Sequence, residues 1–78
     1  MRLYFFNLYD EFETFDEEGV WLANAEEAID RAFQEARALA AAAVLGGHLT
    51  CHHRIEIVDE NRNVIDTVRF DDAVRISP

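Results

Sequence analysis

Apolar residues recur with the period of an α-helix from Asn24 to Leu45, the longest regular pattern in the chain. At 100° per residue, one set of apolar side chains falls within an arc of about 160°. The set consists of Ala25, Ala28, Ile29, Ala32, Phe33, Ala36, Leu39, Ala40, Ala43 and Val44. Asn24 and Glu27 have the spacing of a capping box, and the glycine pair at 46–47 is typical of a helix end. The pattern predicts one long amphipathic helix, with Ile29 and Phe33 as its largest core side chains.

Alternating and aromatic-rich segments on both sides of the helix predict four strands. The first, Arg2–Tyr9, has apolar residues on both faces, which is unusual for an antiparallel sheet with one solvated side. Its second face therefore needs a cover, for which the C-terminal segment and another chain are the alternatives. The other strands are predicted at Val20–Leu22, within Leu49–Val58, and at Val64–Phe70.

Two short segments complete the predicted topology. Residues 59–63 form a turn in which Asn61 or Asn63 takes positive φ. Asp71 and Asp72 either cap a last helical turn or begin a fifth strand through residues 73–76. We expect an α+β fold of ββαββ order, with one long helix packed across a four-stranded, mostly antiparallel sheet, in a single domain over residues 1–78.

The charge balance excludes several classes of partner. The chain has 78 residues, of which 16 are acidic and 7 are basic, so its formal net charge is −9. Nucleic acids and anionic membranes attract basic surfaces, so we expect neither nucleic-acid nor membrane binding. The lone Cys51 allows no internal disulfide, the first residues lack the pattern of a signal peptide, and no apolar stretch is long enough to span a bilayer. We therefore expect a cytoplasmic protein.

The residues with candidate chemistry cluster after the helix, where His48, Cys51, His52 and His53 all have side chains that bind zinc. On an extended segment, Cys51 and His53 point to one side and His52 to the other, and no second pair completes a tetrahedral site. Cys51 as a nucleophile, with His53 as its base, needs an electropositive setting that this acidic chain does not offer. The acidic segment 10–18 lacks the glycine that an EF-hand needs at its sixth position. We expect no metal, no cofactor and no catalytic residue, and hence a protein that is not an enzyme.

A second apolar set lies on the helix side away from the predicted core and consists of Ala38, Ala41, Ala42 and Leu45. One interpretation is that alanine is the best helix former. The other is a contact surface for a partner helix or a second copy. Together with the two-sided first strand, this surface favours a non-catalytic interaction or regulatory module that self-associates or binds a protein with a basic surface.

Several short motifs resemble one family over nearly the whole chain. They are Tyr4-Phe5-Phe6-Asn7-Leu8, Asp16-Glu17-Glu18-Gly19, Glu26-Glu27-Ala28, Ile57-Val58-Asp59-Glu60 and Phe70-Asp71-Asp72-Ala73-Val74. The chain thereby resembles short bacterial proteins of domain-of-unknown-function family sixty-eight ninety-four. Members of the family often have a histidine at the position of Asn7 and a glycine pair near Glu11 and Phe12. This chain has neither feature, so a role of that histidine cannot be assigned to it. The resemblance implies a small ββαββ domain and no activity.

The hairpin leading into Glu26-Glu27-Ala28 also resembles HicB-type antitoxin domains, although Val20–Ala23 lacks the Pro-Gly segment of those proteins. This second resemblance implies the alternative function. It is an antitoxin-like protein whose acidic face neutralises a small, basic, RNA-cleaving toxin.

Overall fold

The structure is a computed structural model that describes residues 1–10, 12–47 and 53–73. Its strands and helices follow in the order β1 (Arg2–Tyr9), β2 (Glu13–Thr14), β3 (Val20–Leu22), α1 (Ala25–Leu45), β4 (Arg54–Val58), β5 (Val64–Arg69) and α2 (Phe70–Ala73). The predicted α+β class is confirmed, with one long helix and an antiparallel sheet. Over these described residues the sheet has five strands, one more than predicted.

The first strand organises the sheet. The strand order is β2-β1-β4-β5, and β3 also pairs with β1, through Leu3 opposite Trp21. All pairings among the described strands are antiparallel. The additional strand, β2, comprises only Glu13 and Thr14, which pair with the end of β1. Two polar residues give no hydrophobic alternation, so the sequence pattern did not reveal this strand.

The helix α1 begins and ends as predicted. Asn24 is its N-cap, because the Asn24 Oδ1 atom accepts the backbone N–H of Glu27 at 2.9 Å. The Glu27 carboxylate in turn accepts the backbone N–H of Ala23 at 2.9 Å, so the predicted reciprocal cap closes one residue earlier than a standard capping box. Beyond Leu45, Gly47 has a φ of 100°, which confirms the glycine-terminated helix end.

The helix meets the sheet along a line of small residues. Ala28, Ala32, Ala36 and Ala40 are fully buried, and they pack with Ile55, Ile57 and Val68 of the sheet. Residues spaced by four lie along one line of a helix, and their methyl groups let the backbone approach the strands closely. Ile29 and Phe33, predicted as the main core residues of the helix, are only partly buried and pack against the edge of this cluster. Leu39 and Val44 fell in the predicted core arc but are 39% and 56% exposed.

A register shift interrupts the regular alternation of the last strand. Ile57 lies opposite Asp66, but the next residue, Val58, lies opposite Val64, so one residue of β5 is extra at this point. The extra residue places Ile65 against the core and leaves Val64 exposed. A regular alternation would instead have put Val64 on the same face as Val68.

The turn between β4 and β5 has its positive φ at Arg62, with a value of 65°, and not at Asn61 or Asn63 as predicted. The Asp59 carboxylate explains the difference. It accepts the backbone N–H groups of Asn61 and Asn63 at 2.8 and 2.9 Å, which places the left-handed residue between them.

The helical alternative for the C-terminal segment is the one observed, over the described residues. The turn of helix α2 begins at Phe70, which was predicted to end the strand, so Asp71 and Asp72 lie in its first turn. The Phe70 N–H donates to the carbonyl of His53 at 2.9 Å, and the Arg37 guanidinium donates to the carbonyl of Ala73 at 3.2 Å. These bonds tie α2 to both the sheet and α1.

Candidate interaction surfaces

The C-terminal half of α1 presents the predicted contact surface. Ala38, Ala41, Ala42 and Leu45 are all exposed, and Leu45 is 90% exposed. Because the line of buried alanines faces the sheet, these four residues lie on the opposite side of the helix. We call them the helix strip. Whether the strip binds a partner stays a prediction, but its accessibility is as the sequence pattern indicated.

The helix strip lies in an uncharged stretch. From Ala38 to Gly47 the sequence contains only alanine, leucine, valine and glycine. Exposed helix faces normally have charged or polar side chains, as the first half of α1 does at Glu26, Asp30 and Arg31. The second half therefore exposes apolar surface that the charges of the first half do not interrupt.

The sheet face opposite α1, which includes the second apolar face of β1, forms a second surface. A groove of about 500 Å³ lies there, and we call it the outer groove. It is lined by Phe5, Asn7, Phe15, Asp16, Glu17, Val58, Glu60 and Arg62. The two-sided apolar pattern of β1 was the sequence signal for this face. The acidic residues on the groove rim are far from β1 in sequence or lie in a connection without periodicity, so only the fold brings them together.

Asp16 holds one wall of the outer groove in place. Its Oδ2 atom accepts the backbone N–H of Phe6 at 3.2 Å, and its Oδ1 atom accepts those of Glu18 and Gly19 at 3.1 and 3.0 Å. The Asp16 N–H donates to the Asn7 side chain at 3.0 Å. Between β2 and β3, where no strand pairing with β1 is formed, this carboxylate links the connection to β1.

Gly19 lets the same connection lie close to β1. Its φ is 74°, and a Cβ atom there would lie 2.8 Å from a side-chain carbon of Leu3 and 3.0 Å from one of Phe5. Only glycine satisfies both conditions. The connection between β2 and β3 thus covers part of the second face of β1, a cover that differs from the two alternatives considered from the sequence.

A polar cluster borders the groove at the end of β1. The Tyr9 hydroxyl donates to a Glu56 carboxylate oxygen at 3.2 Å, and the Arg54 guanidinium lies 4.3 Å above the Tyr9 ring. Burial raises the pKa of Tyr9, and the Glu56 carboxylate beside it raises this pKa further, against the opposing effect of Arg54. Tyr9 therefore stays a neutral hydrogen-bond donor, and its ring packs edge-on against Phe15 at 6.0 Å.

Of the four candidate zinc-binding residues, the structure describes one. His48, Cys51 and His52 lie outside the described residues. His53 is described, and its ring packs edge-on against Phe70 with centroids 5.5 Å apart. Within residues 1–10, 12–47 and 53–73, no group of three or more His, Cys, Asp or Glu side chains is placed to hold a metal ion. Over the same residues, no helix is long and apolar enough to cross a membrane.

Comparison with known proteins identifies one relationship. The family model described as "Domain of unknown function (DUF6894)" matches residues 3–71. The match runs from β1 into α2 and so includes both candidate surfaces. No curated protein and no solved structure matches the chain.

Proposed function

The chain belongs to this family of unknown function, and from that premise we propose that it is a non-catalytic protein-interaction module that associates with a second copy through the helix strip. The supporting observation is the exposed, uncharged end of α1, where Leu45 is 90% exposed beside three exposed alanines. Burying a leucine side chain in a partner contact contributes about 1.5–3 kcal/mol.

The spacing of the helix strip suits pairing with an identical helix. Positions 38, 41, 42 and 45 follow the i, i+3, i+4, i+7 pattern of one helix face. In an antiparallel pair with its twofold axis between residues 41 and 42, Leu45 of each copy lies over Ala38 of the other. A large side chain then meets a small one on both sides of the axis, as an isologous interface requires.

The charges of the chain favour contact at this end. A net charge of −9 makes two copies repel each other. On α1 the acidic side chains lie in the first half, so the second half is where two helices approach with the least repulsion. Because salt screens such repulsion, association should strengthen as ionic strength rises.

Light scattering during size-exclusion chromatography tests the proposal. We expect a mass twice the 9.0 kDa of one chain. Ala41→Glu adds a charge to the helix strip and should give a folded monomer. Gln34→Glu is the matched control, because it adds the same charge to an exposed position of α1 outside the strip. A wild-type monomer at high concentration, or equal dissociation by both variants, contradicts the proposal.

The acidic exterior supports a second candidate, the antitoxin-like protein that neutralises a small basic toxin. In this alternative the carboxylates bind a basic partner protein, and self-association is secondary. A small basic toxin encoded beside the gene, and growth rescue when both are expressed together, are the expected results. Failure to rescue growth from such a neighbour contradicts this candidate.

A further inference from the structure

We propose that the outer groove binds a segment of another protein in which a bulky apolar side chain is flanked by arginine or lysine. This inference is independent of the helix strip, because the strip and the groove lie on opposite sides of the sheet. It names a binding site for a basic partner on a surface that self-association through α1 leaves free.

The groove offers an apolar floor and an exposed aromatic wall. Phe5 and Val58 are paired neighbours on β1 and β4 and form the floor. Phe15 forms the wall, and it is 57% exposed although its ring is anchored against Tyr9. The volume of about 500 Å³ falls in the range of pockets that enclose small ligands, so it accommodates one large side chain and its neighbours. An apolar anchor in the groove would remove part of the Phe15 ring from water.

The rim of the groove is acidic, and some of its carboxylate oxygens accept no hydrogen bond from the described residues. Asp16, Glu17 and Glu60 line it, against a single basic residue among the lining side chains, Arg62. One Glu60 oxygen accepts the backbone N–H of Leu3 at 3.0 Å, which positions the carboxylate at the rim. Glu17 is exposed and makes no hydrogen bond or ion pair with the described residues. The Glu17 carboxylate and the second oxygen of Glu60 are placed to accept charge-assisted hydrogen bonds from arginine or lysine on either side of an anchor.

The wall is held in advance of binding. Asp16 accepts hydrogen bonds from three backbone N–H groups and so fixes the connection between β2 and β3. Gly19, which has no Cβ, lets this connection lie against Leu3 and Phe5. A site that is already ordered loses little conformational entropy when its ligand binds. The same acidic rim, on a chain of net charge −9, disfavours a second copy or a nucleic acid as the occupant.

The test uses the whole protein and a short synthetic peptide that alternates arginine and leucine, with fluorescence anisotropy to measure affinity and amide chemical shifts to locate the contact. We expect shifts at Phe5, Glu17 and Val58, and no binding of a peptide that alternates glutamate and leucine. The double variant Glu17→Gln, Glu60→Gln should weaken binding about 5- to 10-fold, since two exposed ion pairs are lost. The control Glu26→Gln, Asp30→Asn removes the same charge from α1 and should change affinity less than about 2-fold.

A second pair of variants tests the apolar part. Phe15→Ala should weaken binding of the arginine–leucine peptide, whereas Trp21→Ala, which removes an equally exposed aromatic outside the groove, should not. Equal loss of affinity in both charge variants, or peptide-induced shifts confined to α1, overturns the proposal. Groove shifts that appear when the protein alone is concentrated also overturn it, because they identify a second copy as the occupant. None of these results depends on whether the helix strip dimerises.

Discussion

The two halves of α1 have the same secondary structure but different surroundings. From Ala25 to Arg37, buried alanines alternate with charged residues, and Ile29 and Phe33 pack beside the core. From Ala38 to Leu45, Ala40 alone is fully buried, and no side chain is charged. The first half therefore has the composition that folding of one chain requires, with apolar residues inside and charges in water.

Packing among the described residues does not explain the exposed apolar side chains of the second half. Leu45 is 90% exposed at the end of the helix, and apolar area that stays in water contributes no burial energy. The same apolar character therefore has different roles in the two halves. In the first it builds the core, and in the second it is available for contact with another surface.

The largest expected effect comes from placing the same charge in each half. Ala36→Glu puts a carboxylate at a fully buried position with no partner, which should cost about 3 kcal/mol or more. Since small domains have only about 0.05–0.15 kcal/mol of stability per residue, this cost should remove a large part of the free energy of unfolding. Ala41→Glu lies at an exposed position and should change the free energy of unfolding by less than about 0.5 kcal/mol.

Urea unfolding followed by circular dichroism measures both variants, at a protein concentration low enough to keep the wild type monomeric. Equal destabilisation by the two glutamates would mean that the halves do not differ in burial. An intermediate effect at residue 36 alone would indicate that the helix rotates to bring that carboxylate to water.

A smaller effect is expected from shortening large side chains beside the core. Phe33→Ala removes a partly buried ring and should lower the free energy of unfolding by about 2 kcal/mol, less than the 3–5 kcal/mol typical of a fully buried phenylalanine. Leu39→Ala, at a 39% exposed position nearer the second half, should cost about 1 kcal/mol. Thermal unfolding compares the two variants, and a larger loss for Leu39→Ala would reverse the proposed difference between the halves.

The smallest effect is expected at Asp59, in the turn between β4 and β5. It serves as a reference because this turn belongs to neither half of α1. Hydrogen bonds from the backbone N–H groups of Asn63 and Asn61 hold the pKa of Asp59 below its usual value of 3.8. A carboxyl with a lowered pKa stabilises the folded state above the unfolded value, and that contribution is lost as the pH falls below about 3.8 and through the folded pKa.

Urea midpoints measured across this acidic range should therefore fall more steeply for wild type than for Asp59→Asn. Asp30→Asn is the matched control, since it removes one carboxylate from an exposed position of α1 that makes no hydrogen bond or ion pair with the described residues. Identical pH profiles for wild type and Asp59→Asn would show that the turn does not depend on ionised Asp59.

Local patterns predicted those parts of the fold that local interactions decide. The bounds of α1 follow from its period, the Asn24 cap and the glycine pair, all of which lie within a few residues of one another. The bounds of β1 follow from its aromatic run. By contrast, the positive φ moved from asparagine to Arg62 because Asp59 binds two backbone groups across the turn, an arrangement that residue preferences do not encode.

Of the candidate site, the sequence predicted the members of the helix strip and their side of the helix. It did not predict the outer groove, because Asp16 and Glu60 are brought to the same rim only by the pairing of β1 with β4. The sequence pattern also overestimated the burial of Ile29 and Phe33, since a broad apolar arc does not reveal which line of that arc contacts the sheet. The buried line proved to be alanine because small side chains allow the closest approach of helix and sheet.

The sequence by itself determined the α+β class, the long capped helix, the negative charge and the uncharged helix end, since each depends on neighbours in the chain or on composition. Tertiary structure alone decided which helix residues are buried, where the extra residue of β5 lies, and how a carboxylate holds an acidic connection against β1. These features depend on contacts between distant segments, whose geometry is set by packing in three dimensions and leaves no periodic signal in the chain.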